Sequence, residues 1–133
     1  MKLDTLVYRQ AELQSSEGGL VYSIPLNQYM SVLDSLPSFS ITYANRCVGG
    51  AVMRENRFHI AVLPEFRGLV GTQIIRAMEW GFTLHDPYIA MIERNNKDAL
   101  RLAEFFNHTL IGQDASTLTF LLKPRGRKNV IHS

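Results

Sequence analysis

Residues 58–82, FHIAVLPEFRGLVGTQIIRAMEWGF, constrain this chain more than any other stretch. Phe58, Ile60 and Val62 alternate with His59, Ala61 and Leu63, the period of a strand, and Pro64 removes the next backbone donor and ends the ladder. Beyond Arg67, Ile74, Ile75, Met78 and Phe82 fall at helical spacing. A strand that turns through a short basic, glycine-bearing loop into a helix aims free N–H groups and the positive dipole end at the space above the loop. With Arg67 beside it, that space suits an anion such as a phosphate; an ordinary β–α connection is the structural alternative.

At these residues the chain resembles the GNAT superfamily of N-acetyltransferases, whose coenzyme A motif runs L-x-V-x-P-x-x-Q/R-x-x-G-x-G/A. Ile60, Val62, Pro64 and Arg67 match the first half, and Val70, Gly71 and Thr72 follow in the second. Val70 stands where the family has glycine, a place where the pyrophosphate approaches the backbone and a Cβ would crowd it. Thr72 replaces a second small residue and keeps a hydroxyl that can donate to a phosphate oxygen. Gly68 and Gly71 are displaced from the family positions, as in a loop whose register has shifted.

A second block is similar to the family's later strand and helix. Tyr88 to Glu93, YIAMIE, reads as a strand, and Asn96 caps a helix that ends near Phe105 and Phe106. Asn96, Ala99 and Leu102 match the family pattern, whereas Ala103 stands where a tyrosine commonly protonates the leaving thiolate.

The resemblance implies acetyl-CoA as cosubstrate, lying where the Phe58 and Tyr88 strands splay apart. It implies that backbone groups of Ile60 and Val62 pair with the pantetheine amides. Arg67, Gly68, Leu69, Val70, Gly71, Thr72 and Gln73 would hold the pyrophosphate, and Asn96 would touch the pantetheine arm. An amine, free or on a protein, would be the acceptor. His59, from its pKa range, and Glu93, from its place on the neighbouring strand, are the candidate bases. On the residues alone, His59 reads as a half-buried strand histidine and Glu93 as a strand-end charge. A second class of function keeps the fold without turnover, as a binding or structural protein, for example of a phage virion or in contact with a host; Val70 and Ala103 point that way.

The remaining sequence fits one domain over residues 1–122. Its 133 residues, 46% hydrophobic, are enough for a core, and a net charge of +2 with 20% charged residues makes the body neither a polyanion binder nor disordered. The expected order is a strand at Thr5–Arg9, a polar loop at Gln14–Gly19, a helix at Leu26–Leu36, and strands at Phe39–Tyr43, Cys47–Met53 and Phe58–Leu63. A helix, the Tyr88 strand, the Asn96 helix and a last strand at Leu118–Leu122 complete it. This is an α/β chain with a mixed, mostly antiparallel sheet and helices on both faces. Gly49 and Gly50 suggest a bulge or close approach. Residues 123–133, with Lys123, Arg125, Arg127 and Lys128, form a basic tail suited to an acidic partner, nucleic acid or a neighbouring subunit of a homo-oligomer. No metal spacing is present, the single Cys47 fits a reducing compartment, and no membrane-length apolar run or signal core occurs, so the expectation is cytoplasmic.

Overall fold

The computed structural model describes residues 3–15 and 25–125. Two helices lead, α1 at Thr5–Ser15 and α2 at Leu26–Asp34, followed by strands β1 at Ser38–Tyr43, β2 at Arg46–Arg54 and β3 at Arg57–Val62. A single 3-10 turn at Pro64–Phe66 precedes α3 at Gly71–Leu84. Strand β4 at Tyr88–Glu93, helix α4 at Lys97–Ala103 and strands β5 at Asn107–Gln113 and β6 at Thr117–Lys123 complete the described chain.

The strands form one sheet in the order β1-β2-β3-β4-β6-β5. Every neighbouring pair is antiparallel except β3 and β4. Helix α1 packs on β2 and β3 from one face, and α3 packs on β1 and β2 from the other. The α3 side holds the larger core, in which Phe58, Met78 and Tyr88 are fully enclosed. Phe82 and Phe58 stack on the two sides of Tyr88, with ring centroids 4.5 and 5.1 Å away. Ile74, Met78 and Phe106 are buried as the helical spacing requires, with Phe82 and Leu102 packed at the margin. A smaller core on the α1 side joins Leu3, Tyr8, Ala11, Tyr29 and Leu33 to Val52, Ala61 and Leu63.

Two expectations are corrected. Residues Thr5–Arg9 are helical, not a strand: Leu3, Val7, Tyr8 and Ala11 make a helical stripe against the sheet. Asp4 caps the start, its Oδ1 accepting from the N–H groups of Leu6 and Val7 at 3.1 and 3.2 Å. A further strand, β5, lies between α4 and the last strand. It is almost wholly exposed, so it has no apolar alternation to betray it. Its signal is the turn after it, where Asp114 Oδ1 accepts from the N–H groups of Ser116 and Thr117, both at 2.8 Å.

The expected irregularity at Gly49 is present. The pairing of β1 with β2 slips past Val48, and a Cβ on Gly49 would lie 2.4 Å from the Ala61 carbonyl oxygen. The last strand runs to Lys123, and Pro124 and Arg125 are fixed against the body. The Pro124 carbonyl accepts from Asn107 Nδ2 at 2.8 Å, and the Arg125 guanidinium lies 3.8 Å from the centroid of Phe105. The rest of the basic tail, and the polar loop from residue 16 onward, lie outside the described residues.

Candidate functional site

The two parallel strands part. Only Arg57 with Ile89 and Phe58 with Ala90 are in register, whereas β2 and β3 pair over six positions. Ile89 N–H donates to Asn56 O at 2.8 Å toward β4, and Leu63 N–H donates to Val48 O at 2.9 Å toward β2. Alternate residues of a strand turn their peptide groups to the same edge. Ile60 and Val62 therefore share the edge of Phe58 and face an opening from which β4 has withdrawn. Their N–H and C=O groups are an unfilled ladder, able to bond an extended ligand that carries amides.

The opening continues as a narrow cleft, with about 40 Å3 of enclosed space. Ile60, Ala61 and Val62 form one wall; Asn96, Asp98 and Ala99 of the α4 start form another. Arg67, Gly68 and Ile74 close the end. Asn96 spends its side-chain oxygen on the cap, accepting from Ala99 N–H at 3.2 Å.

The loop carries the electrostatics. Arg67 is half-buried, and its Nη2 is enclosed with no hydrogen-bond partner among the described residues. A buried cationic donor left unpaired costs about 1–3 kcal/mol or more, so an acceptor entering the cleft would be favoured there. Helix α3 begins without a side-chain cap and with no acidic residue in its first turn; its first backbone bond is Ile74 N–H to Val70 O. The amides of Gly71, Thr72 and Gln73 are thus the helix's orphan donors. Gly68 has φ +83°, and a Cβ on Gly68 or Gly71 would meet nothing within 4 Å. The space above Gly68 and Gly71 is open.

The structure redistributes the loop residues expected to hold pyrophosphate. Val70 is 2% exposed and packs in the larger core, so its Cβ does not stand over the loop. The side chain of Gln73 is likewise committed elsewhere. Its Oε1 accepts from Thr42 N–H at 2.7 Å and its Nε2 donates to Thr42 O, which leaves only its backbone N–H to the loop. Leu69 and Thr72 are exposed. Sequence reasoning missed Asp98 and Ala99 as cleft residues, although both belong to the first turn that Asn96 caps.

His59 and Glu93 lie on the opposite face from α3, since Phe58, Val62, Ala90 and Ile92 are the residues turned into the α3-side core. His59 is at the paired end of β3, in register with Val52, and Glu93 is at the parted end of β4. Burial first, then the charges of Arg57 and Arg54, hold the His59 pKa below its ordinary value, which keeps the ring neutral near pH 7. Ala103 is 1% exposed in the core, so no group at that position reaches the cleft. Tyr88 is no substitute, because its hydroxyl is buried and donates to Met78 O at 2.9 Å. Among the described residues, no group of His, Cys, Asp and Glu side chains could hold a metal ion, and no helix is long and apolar enough to cross a membrane.

No family model and no curated protein sequence matches this chain. Solved structures do. A mutant form of the spermidine/spermine N-acetyltransferase SpeG from Vibrio cholerae superposes with a TM-score of 0.62 at 14% identity, over 98% of this chain and 93% of that one. The Campylobacter jejuni N-acetyltransferase PseH in complex with acetyl coenzyme A gives 0.58 at 16% identity, over 92% and 97%. A Bacillus subtilis acetyltransferase in complex with CoA gives 0.58 at 12% identity, over 92% and 94%. The chain has the fold of the GNAT N-acetyltransferases, across nearly the whole length of each. These neighbours are bacterial proteins and lend no support to a phage origin.

Proposed function

We propose that the protein is an acetyl-CoA-dependent N-acyltransferase. The enclosed Arg67 Nη2 at the end of the β3–β4 cleft, without a hydrogen-bond partner among the described residues, carries this reading, because it can take an anion in the place where a strand edge offers amide partners. Acetyl-CoA supplies both chemistries, a pyrophosphate and an arm with two amides. Arg67 and the amides of Gly71, Thr72 and Gln73 would receive the pyrophosphate, with room left by Gly68 and Gly71. Ile60 and Val62 would bond the pantetheine arm, and Asn96 and Ala99 would flank it. Two neighbours of the same fold hold CoA or acetyl-CoA, which supports the ligand class.

In the transfer, an unprotonated amine attacks the thioester carbon. The N–C bond forms, the C–S bond breaks with its electron pair on sulfur, and the proton lost by nitrogen ends on the CoA thiol. His59, kept neutral by its surroundings, and Glu93 are the bases proposed to pass that proton. Calorimetric titration with CoA and acetyl-CoA, followed by thiol release with a panel of amines, tests the reading; no binding at millimolar CoA rejects it.

One observation favours a second reading. Ala103 is sealed in the core, and the described residues place no tyrosine hydroxyl in the cleft wall to protonate a leaving thiolate. A protein that binds acyl-CoA without turning it over would bind in calorimetry and release no thiol with any amine.

A further inference from the structure

A second hollow, of about 350 Å3, lies at the end of the molecule opposite the cleft. Helices α3 and α4 both start beside the cleft. Glu79 and Phe82, in the second half of α3, and Phe105 and Phe106, just past α4, line the hollow. Its floor is aromatic. Phe106 is buried, and its ring centroid stands 5.5 Å from those of Phe82 and Phe105, while Phe105 remains 40% exposed. A ring left so open at the mouth of a hollow is apolar surface that a covering segment would remove from water.

The chain itself leads into this hollow. Pro124 and Arg125 line it, with the Arg125 guanidinium over the Phe105 ring and the Pro124 carbonyl held by Asn107 Nδ2. Arg125 is the last described residue, and GRKNVIHS, residues 126–133, follows. Gly126 admits a sharp reversal. Arg127 and Lys128 come next, and two exposed carboxylates are within a short tail's range: Glu79 on the lining, and Glu104 beside Phe105 in the chain. Val130 and Ile131 are a branched apolar pair that a purely solvated basic tail has no use for. At about 3.3–3.6 Å per residue, the five residues from Arg125 to Val130 span up to roughly 16–18 Å, enough to bring the pair back onto the rings.

We propose that residues 126–133 fold back over this hollow and close it, with Val130 and Ile131 on the rings of Phe82, Phe105 and Phe106 and the Arg127–Lys128 pair beside Glu79 and Glu104. Such a strap ties together the far ends of α3 and α4, the two helices whose first turns border the cleft. It is independent of what the cleft holds. A second copy seated on the exposed ring, or a nucleic acid on the basic residues, would take the same groups away from the strap, and the experiment separates the three.

The test is methyl and aromatic NMR on the full chain at low and high protein concentration, repeated on a double variant, Val130→Asp with Ile131→Asp. Nuclear Overhauser contacts are expected from the Val130 and Ile131 methyls to the rings of Phe105 and Phe106, unchanged on dilution. The double variant should lose them, shift the ring resonances and lower the thermal midpoint by about 3–6 °C. Adding Phe105→Ala to it should cost less than Phe105→Ala costs the parent, the mark of a shared contact. Three results would overturn the proposal: tail methyls with no ring contact, contacts found only between differently labelled copies, or tail signals that move with a short DNA duplex while the rings stay unmoved. The second would give the hollow to another copy of the chain, and the third would give the tail to nucleic acid. CoA titrated into the same samples reads the cleft separately, so either assignment can fail while the other stands.

Discussion

Gln73 on α3 and Thr42 on β1 exchange backbone and amide hydrogen bonds across the sheet edge: Thr42 N–H reaches Gln73 Oε1 at 2.7 Å, and Gln73 Nε2 returns a bond to Thr42 O. The pair sits where β1 slips register against β2, between Ile41 and Thr42, so the amide satisfies a peptide unit at an irregularity of the edge strand. It also anchors the first turn of α3. Replacing Gln73 with Ala should cost about 1–3 kcal/mol, because both Thr42 groups lose their partner at a half-buried site. A fall in the thermal midpoint on the order of 3–10 °C is the expected reading for a chain of this size. CoA binding by the folded variant should survive, since the loop keeps its backbone N–H groups; a variant of unchanged stability that loses CoA would return Gln73 to the ligand.

Arg67 should behave in the opposite way. Removing a guanidinium whose enclosed Nη2 has no partner among the described residues takes away no described hydrogen bond and relieves an unpaired donor, so Arg67→Ala should hold or raise the thermal midpoint. CoA affinity should drop by about 1.5–3 kcal/mol, the range for a charge-assisted bond, which is roughly 10- to 150-fold in Kd by calorimetry. Gly71→Val gives a second reading of the same loop. Nothing lies within 4 Å of its Cβ position, so a loss of CoA binding without a loss of fold would mean that a ligand fills that space.

The sheet and its core were readable in advance where side chains alternate over a buried face. Phe58–Val62 and Tyr88–Glu93 carry that signal because α3 and α4 cover one side of them. Strand β5 was not readable for the reverse reason: its residues, exposed nearly throughout, report no face at all. Thr5–Arg9 misleads because Thr5, Val7 and Tyr8 are good strand formers in isolation, and only the Asp4 cap and the reach back to Leu3 and on to Ala11 disclose a helix. At the site, the loop and Asn96 could be placed from type and spacing. The direction of Val70 and the partner of Gln73 could not, since both depend on contacts with elements far along the chain.

His59 gives the pH dependence a definite sign. In the unfolded chain its ring titrates near 6.5, and in the folded protein burial and the flanking Arg57 and Arg54 lower that value. Above about pH 6.5 both states are neutral and the residue contributes no slope. As pH falls below that, the unfolded chain takes up the proton first, so the folded state loses stability until the pH drops beneath the folded value. Glu12 acts in the other direction, because burial raises its carboxyl and folding is favoured by its protonation. Melting His59→Gln beside the parent from pH 7.5 to 5 isolates the histidine. The variant should gain relative to the parent as the pH falls, and parallel curves would remove the burial argument.

Val70 separates the loop's two registers. Were its Cβ over the loop, Val70→Gly would relieve a crowded pyrophosphate and tighten CoA binding at little cost to the fold. The side chain is instead 2% exposed in the core that contains Ile74, Met78 and Val62. Deleting it removes buried apolar surface worth about 1.5–3 kcal/mol, while glycine at the N-cap of α3 is itself well tolerated. The expected outcome is a lower thermal midpoint with CoA affinity within about twofold of the parent. Thermal melts and calorimetry on the same preparation decide it: tighter CoA binding at an unchanged midpoint would mean that Val70 faces the ligand and that the loop lies in the family register after all.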